Sequence, residues 1–116
     1  MEAKRQTSTE RPLPVEYLGD GSYYYNYDIR EYVVPDVEGT HIEYSFVQVH
    51  LRGLANYADC VEAVIRAYVS ESQEFDLVNS YNKFVLGLST DVKYRDEYIA
   101  YLNLLEEIKT NIKKNF

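Results

Sequence analysis

The sequence predicts an α+β fold: an N-terminal extended arm, a long antiparallel β-hairpin forming a small sheet, then a three-helix C-terminal region. Three observations point there. Side chains alternate with a period of two from Ser22 to Val34 and again from His41. From Tyr57 onward, apolar residues recur at intervals of three and four. The chain has 116 residues, 46% hydrophobic and 27% charged, which suffices for one packed core and argues against a second domain. The expected organisation is an arm over residues 1–14 and a single α+β domain over 15–116. Within that domain, residues 15–53 form the β-hairpin part and residues 56–116 the helical part.

The arm is polar, and Pro12 and Pro14 push the residues before them into extended conformations. Lys4, Arg5 and Arg11 outnumber Glu2 and Glu10, whereas residues 15–60 hold eight acids and two bases. Such an arm either stays free as a disordered terminus or docks on the acidic body of a neighbouring subunit.

Gly19-Asp20-Gly21 is a turn signal. After it, Tyr23, Tyr25, Tyr27, Ile29 and Val33 fall on one strand face, with Asn26, Asp28 and Arg30 on the other. Pro35 to Thr40 reads as the connection. In the second strand, His41 to Leu51, the apolar set shifts from Ile42, Tyr44 and Phe46 to Val47, Val49 and Leu51. That shift implies either a bulge or burial on both faces. Two strands alone are barely stable in water, so the hairpin needs a third strand, a covering helix or a partner chain. Val15-Glu16-Tyr17-Leu18 has the composition of a short third strand.

Asn56 is a suitable N-cap for a first helix with Tyr57, Val61, Val64, Ile65 and Tyr68 on one face. Ser70-Glu71-Ser72 interrupts the pattern, and Ser72 is the expected cap of a second helix. Its face is Phe75, Val78, Tyr81, Val85 and Leu88, with Gly87 as terminator. Thr90 or Asp91 then caps a third helix. Lys109, Lys113 and Lys114 suit the negative end of its dipole. Tyr94, Tyr98, Tyr101, Leu105, Ile108 and Ile112 repeat with the 3.5-residue period of a packed seam, either within a bundle or against another chain. The predicted core is Ile29, Val33, Ile42, Tyr44, Phe46, Val61, Val64, Ile65, Tyr68, Val78, Tyr81, Tyr98, Leu102, Leu105 and Ile108.

The composition disfavours several function classes. A net charge of −7 repels phosphate backbones, so nucleic acid is not an expected partner. No apolar run approaches a membrane span, and residues 1–13 lack the apolar stretch of a secretory signal. The single cysteine, Cys60, stands among apolar helix positions and reads as a buried small residue. His41 and His50 sit nine apart on one strand and project to opposite faces. No acidic loop has calcium spacing, and Gly19-Asp20-Gly21 precedes a strand, so it is no phosphate loop. No catalytic residue, metal ligand, cofactor or small-molecule substrate is therefore expected. Asn79 and Asn82 share a helix face and suit either hydrogen bonds to a neighbouring loop or strand edge or a ligand or partner contact.

Tyrosine is the unusual component: 13 Tyr and no Trp, with six Tyr between Tyr23 and Tyr44. Its apolar ring and polar tip serve interfaces as well as half-buried sheets. The expected interaction residues are Tyr23, Tyr25, Tyr27, Tyr32, Tyr94, Tyr98 and Tyr101, with Lys4, Arg5 and Arg11 from the arm.

One resemblance adds a setting. The string from Val61 to Tyr68, then Glu74 to Asn82, Gly87, Tyr98-Ile99-Ala100-Tyr101, Ile108-Lys109 and Ile112-Lys113 resembles small uncharacterised α+β proteins of phages and prophages of Bacteroides-type gut bacteria. It spans about residues 55–116. The resemblance implies a place among tail and virion structural genes, hence a phage-like structural or adaptor protein. Such a protein would be made in the bacterial cytoplasm, carried in the virion and partnered by its own copies or by other tail proteins. The alternative is a small cytoplasmic binding module, such as a tail-assembly chaperone or a protein that blocks a host factor. The long Tyr-rich hairpin departs from the family pattern.

Overall fold

The computed structural model describes residues 1–116. Four strands form one antiparallel sheet: β1 (Gln6–Ser8), β2 (Val15–Tyr17), β3 (Ser22–Asp36) and β4 (Gly39–Arg52), in the order β1-β4-β3-β2. Three helices follow: α1 (Tyr57–Tyr68), α2 (Glu71–Val85) and α3 (Val92–Lys113). The fold is α+β, as the sequence predicts, and Val15–Tyr17 supplies the third strand. The arm supplies a fourth, because Gln6, Thr7 and Ser8 pair with Phe46, Ser45 and Tyr44. It docks on its own chain's sheet.

The strand order explains residues 9–14. β1 lies at one edge and β2 at the other, so the chain between them crosses a face of the sheet. Asn26 is buried beneath this crossing: its amide Nδ2 donates to the Leu13 carbonyl at 2.7 Å, and its backbone N–H donates to the Pro14 carbonyl at 2.8 Å. Gln48 Nε2 donates to Asn26 Oδ1 at 3.1 Å from the paired position on β4. Arg11 lies over the Tyr44 ring, 5.7 Å from its centroid. The helices take the opposite face.

The register of β3 against β4 slips by one residue between Tyr27 and Arg30. The bulge therefore lies on β3, and β4 alternates without interruption. Val47, Val49 and Leu51 face the helices, while Tyr44 and Phe46 face the crossing segment with exposed Ile42 further out on the same face, so burial on both faces explains the shift from Tyr44 and Phe46 to Val47 in β4. On β3 the slip separates residues that simple alternation puts together. Tyr23, Tyr25 and Tyr27 face the helices, but Val33 now pairs with Ile42 on the other face. The bulge residue Asp28 has φ of 53°, left-handed for a residue with a Cβ.

The core lies between the lower half of the sheet, α1 and the C-terminal half of α3. It is built from Tyr23, Tyr25, Tyr27, Val47, Cys60, Val61, Val64, Ile108 and Ile112. Of the predicted core, Phe46, Val61, Val64 and Ile108 are buried. Ile29, Tyr44, Ile65, Tyr68, Val78, Tyr81, Tyr98 and Leu105 are half-buried, and Val33, Ile42 and Leu102 are exposed. Val33 and Ile42 fail because the bulge puts both on the face away from the helices, beyond the last residue that β1 pairs with. Leu102 fails because α3 packs through the stripe beside it.

Caps set the helix starts. Asn56 Oδ1 accepts from the Asp59 N–H at 2.9 Å, and Asp91 Oδ1 accepts from the Lys93 N–H at 3.0 Å. The α2 cap is Ser70, two residues before the expected Ser72. Ser70 Oγ accepts from the Gln73 N–H, and Gln73 Oε1 accepts from the Ser70 N–H, which makes a reciprocal box that Ser72 has no glutamine to form. Gly87, with φ of 76°, ends the α2 region as expected.

Ile108 is fully buried at the centre of this packing. Ile108→Ala should lower unfolding stability by about 2–4 kcal/mol in urea titration. Tyr25→Phe, which removes the 2.6 Å bond from the phenol to Asn115 Oδ1, should lower it by only about 1 kcal/mol.

Candidate interaction surfaces

The molecule is elongated. Its radius of gyration is 17.9 Å, against about 13 Å for a compact chain of this length. Its accessible surface is 7794 Å², against roughly 6600 Å² for a compact monomer of this mass. Two projections account for the difference: the distal half of the β3–β4 hairpin, and the paired α2 and N-terminal half of α3.

The distal hairpin runs beyond the bulge from Arg30 to the turn at Val37-Glu38, about 20 Å of strand. β1 flanks only its base, at Ser45 and Tyr44, and β2 stops at Tyr25, so from the Tyr32–Glu43 pair outward neither edge is covered. Its apolar residues lie open to solvent: Val33 is 64% exposed, its partner Ile42 46%, and Val37 projects fully at the tip. Glu31, Asp36, Glu38 and Glu43 against Arg30 make it acidic. His41 bridges two of these acids, with Nδ1 2.9 Å from Asp36 Oδ2 and Nε2 3.2 Å from Glu43 Oε2. Asp36 Oδ1 also accepts from the Glu38 N–H at 2.9 Å, which fixes the turn.

Arg5 anchors the base of this arm. Its guanidinium donates to Asp28 Oδ2 at 3.0 Å, the Asp28 carbonyl at 2.6 Å, Ser45 Oγ at 2.6 Å and the Ser45 carbonyl at 3.0 Å. The bulge leaves backbone groups without ladder partners, and the planar fork of Arg5 satisfies them. Arg30 adds a second cation, 2.6 Å from Asp28 Oδ2.

The helical projection is held by a polar junction. Arg66 on α1 lies 3.1 Å from Glu74 Oε1 on α2, and the Tyr101 hydroxyl on α3 donates to Glu74 Oε2. The Tyr101 hydrogen bond, then Arg66, holds the Glu74 carboxyl below its ordinary range. Burial, then the bond to Glu74, pushes the Tyr101 phenol up to about 12. Further out, Tyr81 stacks on Tyr98 at 4.4 Å between centroids. Beyond that stack the tip carries exposed Val85, Leu86, Leu88 and Val92.

The expected interaction residues divide sharply. Tyr23, Tyr25 and Tyr27 are core residues whose phenols meet Cys60 Sγ, Asn115 Oδ1 and Asn111 Nδ2 respectively. Burial raises all three phenol pKa values and that of the Cys60 thiol. Tyr101 is buried, and Tyr94 and Tyr98 are half-buried on the α3 face that meets α2. Arg5 is committed to the bulge, while Lys4 and Arg11 are exposed and Tyr32 stands on the projecting hairpin. Asn79 and Asn82 stand exposed on α2 and do not bond a loop or strand. Reasoning from the sequence missed Val33, Ile42, Ile99 and Leu102 as surface residues. The β3 bulge and the side on which α2 packs were the missing facts.

No helix is long and apolar enough to cross a membrane. No group of three or more His, Cys, Asp or Glu side chains is placed to hold a metal ion.

Two predictions follow from these contacts. Arg5→Ala should abolish hydrogen-exchange protection of Gln6–Ser8 while leaving that of α1 and the Ile108 turn in place. Because the Glu74 pKa is lowered on folding, its stabilisation is present above the unfolded value of about 4.3 and is lost as pH falls through the lower folded value. Wild-type stability should therefore decline from roughly pH 5 to pH 3, and Glu74→Gln should flatten that decline in acid titrations followed by circular dichroism.

With this geometry in view, no family model, curated protein or solved structure matches the chain.

Proposed function

We propose that the protein is a structural or adaptor subunit that works through protein–protein assembly, with the distal β-hairpin as its principal docking arm. The observation that carries this reading is the hairpin itself. It is a two-stranded projection with an exposed Val33–Ile42 pair, an exposed Val37 at its tip and edges unflanked from the Tyr32–Glu43 pair outward. Unflanked strand edges offer backbone donors and acceptors to a partner strand, and exposed apolar residues supply the burial such docking needs. The bulge and Arg5 fix the angle of the arm, so its docking carries little ordering entropy. The sequence resemblance suggests the setting: a tail-associated part of a phage-like particle.

A second reading has one observation in its favour. The acidic charge of the hairpin suits a basic partner, as a cytoplasmic chaperone or a blocker of a host factor would meet.

The paired substitutions Val33→Asp and Ile42→Asp test the proposal, since both positions are exposed and the fold should survive. A tagged wild-type chain should sediment with particles from the producing cell, and the double variant should lose at least about tenfold of that association. A wild-type chain that stays out of particles and copurifies with one free partner would establish the second reading instead.

A further inference from the structure

The buried stripe of α3 has an exposed neighbour. Val92, Arg95, Ile99, Leu102 and Glu106 are spaced three, four, three and four, which places them along one side of the helix for about 20 Å. Ile99 is 47% exposed and Leu102 41%, large apolar side chains at the centre of this line. Helix α2 adds to the same surface. Glu74 touches Tyr101, and Tyr81 stacks on Tyr98, so these pairs mark the inner faces of two antiparallel helices. Advancing one residue on each helix turns both side chains to the same side of the pair. Phe75 therefore emerges beside Leu102, and Phe75 is 67% exposed.

This line is complementary to itself. If a second α3 runs antiparallel across it, centred between Ile99 and Leu102, each Ile99 meets the Leu102 of the other copy. In the same register each Arg95 meets the Glu106 of the other copy. The two-fold axis produces every contact twice, so the stripe supplies an apolar centre closed at both ends by opposite charges. Glu106 has no ion pair within the chain. Arg95 is half exposed, resting over the Phe84 ring at 5.9 Å and 3.1 Å from the Asp96 carboxylate, contacts that leave its guanidinium open to a second acid.

We infer that the outer face of α2 and α3 is a two-fold interface with a second copy of this chain, in the Ile99–Leu102 and Arg95–Glu106 register. This deepens the assembly reading by naming one partner, and it uses a surface separate from the hairpin.

The test is molar mass by light scattering on a column, at micromolar and near-millimolar chain concentrations, for the full chain. The wild type should be a dimer. Arg95→Glu alone and Glu106→Arg alone should each weaken dimerisation by at least about tenfold, because each sets like charges opposite one another at both ends. An equimolar mixture of those two variants should recover the dimer, since every 95–106 contact is then between opposite charges. Melting curves of the single variants, recorded at chain concentrations low enough to dissociate the dimer, should lie close to the wild type, as both residues are on the surface. The Val33→Asp, Ile42→Asp double variant should remain dimeric. A monomeric wild type, or a dimer indifferent to the charge changes, would overturn this interface and leave the hairpin reading to its particle experiment. So would an oligomer that dissociates only in the hairpin variant.

Discussion

A single extra residue in β3 governs the shape of this protein. The bulge at Asp28 divides one long hairpin into two parts with different solvents. Below it, Tyr23, Tyr25 and Tyr27 point into the helices and are buried. Above it, the same face of the strand carries Arg30 and Tyr32, and the hairpin leaves the body of the domain. A left-handed backbone at a non-glycine residue is strained, and it persists only where its surroundings compensate. Here the compensation is Arg5, whose four hydrogen bonds reach both strands across the bulge. The arm is thereby ordered by the irregularity that it stabilises.

The core below the bulge is an unusual solution to a common problem. A sheet face needs apolar cover, and three tyrosines supply large rings for it. Each ring brings a hydroxyl that is costly to bury unpaired. The sequence provides a polar atom for each phenol: Cys60 on α1, Asn111 on α3, and Asn115 just beyond the end of α3. These contacts fix the axial position of α3 against the sheet more tightly than isoleucine packing alone would. That position in turn decides how far the N-terminal half of α3 extends beyond the sheet.

Both projections follow from the same economy of core. Helix α2 has no buried residue and packs on α3 through the Tyr81–Tyr98 stack and the Glu74 junction. The distal hairpin has no covering layer at all. The chain wraps an arm around its own sheet yet leaves two long elements bare, with Val33, Val37, Ile42, Phe75, Ile99 and Leu102 exposed on them. The hairpin and the helical pair are separate surfaces, one built on β3 and β4 and the other on α2 and α3.

The sequence by itself determined the elements: the paired long strands, a short strand at Val15, three helices with a cap at Asn56 and another at Thr90 or Asp91, and the buried Cys60. Those features depend on interactions between residues close in the chain, where periodicity and capping chemistry operate. Tertiary structure decided which faces those elements present. The period of two put Val33 on the tyrosine face, and only the pairing of β3 with β4 reveals the slip that moves it. The 3.5-residue stripe on α3 fitted a seam within the chain or between chains, and only the packing of α2 fills it from within and turns Ile99 and Leu102 outward. The tyrosines looked like interface residues because a ring with a polar tip suits interface and core equally. The partner of each hydroxyl, 37, 90 or 84 residues away in the chain, assigns them to the core.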